Sequence, residues 1–575
     1  MIGCVYNKTY KLLVLSFVIV NLNWINNGGI VKQKTLVIIL AAIVLIVVVA
    51  VVAMLGGKGG AQTTVTQPTG TTTSPKLEMT TPPDVLIIAM NTGDAVSLDP
   101  ARAYEFTSVM VVNQIYDKLV DFEPPDMVNV KPEVAESWSV ANDGVTWTFK
   151  IRKGITFHSG RELTADDVVF SLQRVLILKQ TAAWVLEQFV SNPDNIKKID
   201  NYTVQIVLDK PVAPTFFLSA LTFTTSAILD KQEVLAHQVG DDLGSAWLTD
   251  HSAGSGPFKL VRWVREQEIV LEANPNYWRG APKIKQIIIK HVPEPADQLL
   301  MLKRGDIDIA WDLTVDQLLQ LKGDPTVKIL SAPSLYLAYL GMNVGVEPLS
   351  KPEVREAIRY CIDYDAIIND ILRGGAIKWQ TIIPKGLFGA LDKQPFAKNV
   401  TYAKELLAKA GYPNGFTVTL TIPPTSPQTD IAAKIQADLR ECGITINIEQ
   451  LVASQMYEKY RKQGLQMVLA QWGSDYPDPD NNAKAFGDYT MKQLAWRNMW
   501  YDDYASQLAQ KAAVEFDASK REQLYKELQE YILHNGPYAV LYQVLIQQAV
   551  KAWVKNFVPD PLNNYDLYKV YKSID

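Results

Sequence analysis

The chain has 575 residues, 48% of them hydrophobic and 20% charged, with a net charge of −5. That length exceeds one compact core and predicts several subdomains, while the acidic balance excludes a nucleic-acid partner, which requires a basic face. Three cysteines without CxxC or paired spacing signal neither a zinc site nor a disulfide framework, and five scattered histidines without HExxH supply no metal set.

In chain order, residues 1–34 form an N-terminal region of uncertain start, with a weak apolar stretch at 12–25. Residues 35–55, TLVIILAAIVLIVVVAVVAML, carry no charge. At about 1.5 Å per residue they span roughly 30 Å, the thickness of bilayer hydrocarbon. Lys8, Lys11, Lys32 and Lys34 precede the run, which orients the N-terminus to the cytoplasm. The expectation is a cell-membrane protein with a single-pass anchor and its folded part on the extracytoplasmic side, secreted if this segment is cleaved. Residues 56–84 are rich in Gly, Thr and Pro, which predicts a flexible stalk.

Residues 85–90 read as a buried strand and 106–120 as a helix ending before Pro124-Pro125. Period-two alternation over 138–160, with Asn142-Asp143-Gly144 as the turn, predicts a hairpin. Thr164 and Asp167 form a capping box that opens a helix. A second two-stranded pattern follows Gly254-Ser255-Gly256-Pro257. Strands at 285–292, 307–311 and 336–342 and helices at 295–303, 351–360, 364–373 and 402–410 come next. The segment 416–472 then alternates strand 416–422, helix 429–441, strand 444–450, helix 454–463 and strand 466–472, before helices 504–514 and 519–533. The pattern predicts an α/β protein of two lobes with an inserted β-rich subdomain.

The stretch QWGSDYPDPDN at 471–481 sits where the last of those strands ends, the place where open α/β sheets bind ligands. Asp475, Asp478 and Asp480 leave three readings open: turn chemistry, a calcium loop, which lacks its closing Glu, and, for Asp475, a fixed anion at a pocket mouth. No GxxxxGK[ST], GxSxG or GxGxxG motif is present. The motifs therefore supply no catalytic residue, no metal ligand and no cofactor.

Six ordered blocks resemble one family. They are SLDPARAYEFTSVMVVNQIYDKLVDF (97–122), PEVAESWSVANDGVTWTFKIRKGITFHSGRELTADDVVFSLQRV (132–175), SGPFKLVRW, GMNVGVEPLSKPEVREAIRYCIDYDAI, AKELLAKAGYPNGF and QWGSDYPDPDN. The family is the large extracytoplasmic solute-binding proteins of ABC importers, the oligopeptide, dipeptide and nickel group (family 5). The resemblance implies a bilobal periplasmic-binding-protein-like fold, type II in its large cluster C form, with an extra subdomain on lobe one. Lobe one is then 85–131, 253–343 and 541–575, the inserted subdomain 132–252 and lobe two 344–540.

By the same resemblance, Asp475 holds a peptide α-ammonium, Trp472 and Tyr476 lie in the same cavity, and Tyr104, Glu105 and Phe106 form the lobe-one wall. Dipeptide-specific relatives carry an arginine before the helix that begins here near 429. This chain has IPPTSPQTD at 422–430 and no arginine there, so longer peptides fit better than a clamped dipeptide. The expected protein is a monomeric, non-enzymatic receptor that passes oligopeptides to permease subunits driven by cytoplasmic ATPases. An oligosaccharide receptor of the same transporter class and a surface hydrolase or peptidase are the alternatives.

Overall fold

The computed structural model describes residues 78–574 except 563. The span expected at 35–55 lies outside the described residues, and among these no helix is long and apolar enough to cross a membrane.

In chain order, β1 (Val85–Met90) leads to α1 (Phe106–Ile115), the hairpin β2 (Val120–Glu123) and β3 (Asp126–Pro132), then β4 (Ala135–Val140) and β5 (Thr146–Ile151). Helix α2 (Ala165–Leu178), β6 (Ile196–Asp200) and β7 (Thr203–Val207) come next. Strands β8 (Phe258–Val264), β9 (Glu268–Ala273), β10 (Gln286–His291) and β11 (Ile309–Ala310) follow, then the long β12 (Val327–Met342). The remainder runs through α3 (Pro352–Cys361), β13 (Ala376–Lys378), β14 (Phe416–Ile422), α4 (Gln428–Glu441), β15 (Ile444–Gln450), α5 (Ala453–Arg461), β16 (Met467–Gly473), α6 (Asp480–Gly487), α7 (Ala518–Asn535) and β17 (Tyr538–Lys551).

One sheet runs in the order β15-β14-β16-β12-β17-β11-β1-β10-β9-β8, with β13 beside β17. Strands β12 and β17, of 16 and 14 residues, pair antiparallel along most of their length and tie its two halves together. On one side β1 runs parallel to β10 and β11; on the other β14 runs parallel to β15 and β16. The arrangement is an α/β bilobal one with two crossing strands. A separate sheet, β4-β5-β7-β6, packs with α2 around Trp147, Phe149, Phe216 and Phe217. The Asp143 carboxylate accepts from the Val145 and Thr146 amides, both at 2.9 Å, and closes the β4–β5 turn. Thr164 and Asp167 form the capping box of α2.

Four expectations need correction. Helix α1 stops at Ile115 rather than 120, because the Gly256 amide donates to the Ile115 carbonyl at 2.8 Å and turns the chain out of the helix. A Cβ at Gly254 would lie 2.0 Å from the same oxygen, so the glycine permits the crossing. The stalk expected through 84 is already packed before that point: Thr81 is buried and its hydroxyl donates to Asp308 at 2.6 Å. Cys361 and Cys442, read as unpaired, form a disulfide across 81 residues, because the ends of α3 and α4 meet in one core. Asp478 and Asp480 are more than turn formers. Asp478 pairs at 2.7 Å with the buried Arg521 of α7, and Asp480 with Lys484 at 2.7 Å.

Candidate functional site

The site forms where β16 ends. Strand β16 pairs with β12 so that Gly473 faces Tyr336 and Gln471 faces Ala338. A Cβ on Gly473 would come within 2.3 Å of the Tyr336 ring; the glycine lets that ring lie flat over the strand. Beyond it the loop is pinned on both sides of Asp475. Ser474 is buried and donates to Asn482 on α6, while Tyr476 drops into the aromatic core beside Phe216, ring centroids 5.7 Å apart. Asp478, held by Arg521, closes the turn, and its carboxylate accepts from the Asp480 amide at 2.9 Å.

Across the gap, residues before α1 supply the facing wall. The Tyr104 hydroxyl donates to Asp475 Oδ1 at 2.5 Å. The Asn481 side-chain amide donates to Oδ2 at 3.4 Å, and Asn481 is itself oriented by the Trp472 indole N–H at 3.2 Å. Tyr104 meets Phe223 edge-on at 5.9 Å, and Phe106 meets Tyr336 at 6.2 Å. Phe106 is 54% exposed although it belongs to the apolar wall. The cavity, open to solvent on one side, has a volume of about 350 Å³, and its lining holds the carboxylates of Asp94, Glu105 and Asp475 but no Lys, Arg or His.

Burial raises the Asp475 carboxyl above the ordinary carboxylate range, against the lowering effect of its hydrogen bonds from Tyr104 and Asn481. Burial, with the Asp475 charge behind it, pushes Tyr336 up to about 12 and Tyr104 higher still. Both phenols therefore stay protonated donors at neutral pH. The cavity is an aromatic-walled acidic pocket whose central anion lacks a cation, an environment that favours a positively charged group.

Of the residues expected at the site, Tyr104, Glu105, Phe106 and Asp475 come together. Trp472 stands behind them as a support for Asn481 and does not line the cavity. Tyr476 is a correction: at 3% exposure its ring is buried in the aromatic cluster with Phe216, Phe217 and Trp147 and does not line the cavity, because alternate side chains leave the loop in opposite directions. Sequence reasoning missed Asp94, Phe223, Tyr336, Pro561 and Leu562, which line the cavity from four separate parts of the chain. Among the described residues no cluster of three or more His, Cys, Asp or Glu is arranged to hold a metal ion.

Residues 129–493 match the model of the bacterial extracellular solute-binding proteins, family 5. The chain is 30% identical over 507 residues to the "Probable D,D-dipeptide-binding periplasmic protein DdpA" of Escherichia coli (strain K12), covering 85% of this chain and 94% of that protein. Among solved structures, HbpA2 from Haemophilus parasuis matches with a TM-score of 0.78 at 26% identity, covering 85% of this chain and all of that one. The ABC transporter-associated periplasmic binding protein DppA from Helicobacter pylori, in complex with the peptide STSA, matches at 0.67 and 27% identity, covering 85% and 98%. The chain belongs to family 5 of the extracellular solute-binding proteins, which are receptors rather than enzymes. The expected single-pass location at the cell membrane is corrected by two of these relatives, the Escherichia coli and Helicobacter pylori proteins, which are described as periplasmic.

Proposed function

We propose that this family 5 receptor captures peptides by their free amino end, closes its lobes over them and delivers them to an ABC importer. The observation that carries the reading is Asp475. Its carboxylate is held by two donors, faces a cavity with no cation, and is raised by burial in the absence of a ligand. An α-ammonium supplies the missing charge, and the rings of Tyr104, Phe106, Phe223 and Tyr336 suit the apolar and cationic parts of an amino-terminal residue. Two of the relatives support a peptide, one by its described dipeptide ligand and one by the bound STSA. An oligosaccharide has no ammonium for Asp475, and the reading therefore disfavours it.

On this reading lobe one comprises 85–131, 253–343 and 541–575, the inserted subdomain 132–252 and lobe two 344–540. Closure brings the Tyr104 wall against Asp475, and a ligand drives it only through contacts stronger in the closed state than in the open one. The importer partner is inferred from the relative described as ABC transporter-associated. The test is isothermal titration calorimetry with one peptide in free-amine and N-acetyl forms. The expected result is binding by the free amine and a loss of at least a hundredfold on acetylation. Equal affinities for the two forms refute the reading.

A further inference from the structure

The Asp475 loop is held at a second place, away from the cavity. Arg521 of α7 is buried, and all five N–H donors of its guanidinium are engaged. Two go to Asp478, at 2.9 and 2.7 Å, one to the Ala512 carbonyl at 2.9 Å and one to the Tyr525 hydroxyl at 2.9 Å. The fifth reaches Thr215 Oγ1 at 2.5 Å, 306 residues away in sequence. Beside it the Ala213 amide donates to the Ala513 carbonyl at 2.8 Å. That carbonyl lies in the last turn of the helix Asp503–Val514, where carbonyls have no partner within the helix. Next along the chain, the Phe516 ring packs on the β4–β5 turn, 3.1 Å from where a Cβ on Gly144 would stand. None of these residues lines the Asp475 cavity.

With the division proposed above, Gly144, Ala213 and Thr215 belong to the inserted subdomain carried by lobe one, and Asp478, Ala513, Phe516 and Arg521 to lobe two. The contact then bridges the lobes at a second point besides the Tyr104–Asp475 pair.

We infer that this contact is a latch on closure: Ala213 and Thr215 dock on Ala513 and Arg521 as the lobes meet, and the latch sets how long a ligand anchored at Asp475 stays enclosed without touching that ligand. The inference rests on the reading of the protein as a receptor whose lobes close over a peptide. With the lobes apart, water serves the Ala513 carbonyl and the fifth Arg521 N–H. With the lobes together both groups are shut off from water, and a buried cationic N–H without an acceptor is costly. The closed state is therefore favoured only if Thr215 supplies the oxygen. The two-bond fork to Asp478 holds Arg521 in either state and ties it to the loop that carries Asp475. Thr215 and Arg521 are thus positioning residues.

The test compares the intact receptor with Thr215→Val, which keeps the shape and removes the acceptor, and Thr215→Ser, which keeps the hydroxyl. One free-amine peptide is titrated by calorimetry, its dissociation is timed by stopped flow, and the radius of gyration is measured by small-angle X-ray scattering with and without it. The expected result is a wild type that contracts on binding. Thr215→Val binds about tenfold more weakly, the scale of one lost bond to a charged donor, with the loss in the dissociation rate, and Thr215→Ser stays within twofold of wild type. A Thr215→Val variant that melts lower but keeps the wild-type affinity and dissociation rate makes Thr215 structural only and overturns this inference alone. A wild type that binds without contracting overturns closure and the latch together. Failure of the wild type to bind free-amine peptides overturns the peptide reading and this inference with it.

Discussion

Replacing Asp475 by Asn keeps the shape of the side chain, removes its charge and separates two effects of opposite sign. In the empty cleft, burial raises the carboxyl above its ordinary value. An acid whose folded pKa lies above its unfolded one binds its proton more tightly in the folded state. Its ionised form therefore costs stability at neutral pH, and the cost disappears as pH falls through the folded pKa. Asp475→Asn is thus expected to raise the melting temperature of the ligand-free protein at pH 7 and to leave it nearly unchanged at pH 3. Binding moves the other way. A carboxylate offers about four acceptor positions; Tyr104 at 2.5 Å and Asn481 at 3.4 Å take two, which leaves two for an ammonium. Stripping one partner from a buried charged pair costs about 3–5 kcal/mol. Asp475 is only partly buried, so the lower end applies: about 3 kcal/mol, roughly a hundredfold in Kd. Calorimetry with a free-amine peptide and a thermal melt of both proteins check the two arms. For the wild type, affinity should hold between the raised Asp475 pKa and the ligand amine's ~8 and decline on either side. A variant that binds within threefold of wild type, or that melts lower at pH 7, refutes the reasoning.

Replacing both Cys361 and Cys442 by Ser removes a link across 81 residues; the chain-entropy model puts the loss at about 4.5 kcal/mol, read as a lower denaturant midpoint, and an unchanged midpoint with free thiols in the wild type would contradict the pairing. Glu133, buried beside Asp121 and Asp117, is pushed up to about 8 chiefly by desolvation. Its folded pKa exceeds its unfolded value, so the protein loses stability as pH rises from about 4.5 through 8. Glu133→Gln should therefore raise the melting temperature at pH 9 while changing little at pH 4, and equal gains at both pH values would argue against burial as the cause.

The strand and helix pattern was legible because the chain obeys local rules almost throughout. The capping box at Thr164, the Asn-Asp-Gly turn and the alternation from 416 to 472 all appear where those rules place them. Asp475 stood out because a polar residue between a buried strand and a proline-rich turn has few structural uses. What stayed hidden depends on contacts between residues far apart in the chain. Cys361 meets Cys442 only once α3 and α4 share a core. Phe223 and Tyr336 reach the cavity from separate parts of the chain, and neither sits in a local pattern that marks it. The end of α1 is set by Gly256, more than a hundred residues away. Tyr476 shows the same limit from the other side, since adjacency to Asp475 in sequence reverses in space when alternate side chains leave the loop in opposite directions.

That reversal has a test of its own. The Tyr476 ring sits in a socket with Phe216 and Trp184, centroids 5.7 and 6.4 Å away. Its hydroxyl donates over 3.4 Å to Asp480 Oδ2 and also meets the Asn481 side chain. If the ring anchors the loop and the hydroxyl touches no ligand, Tyr476→Phe should hold Kd within about twofold and stability within ~1 kcal/mol, the net worth of one hydrogen bond. Tyr476→Ala empties the socket and should cost about 3–5 kcal/mol of stability. It should also weaken binding, because Asp475 is then fixed on the Ser474 side alone. The pair of variants separates contact from positioning: a hydroxyl that met the ligand would make Phe nearly as damaging to affinity as Ala, with stability spared. A tenfold loss of affinity in Tyr476→Phe would return Tyr476 to the cavity and remove the physical basis for reading the loop as a plug that aims its neighbour.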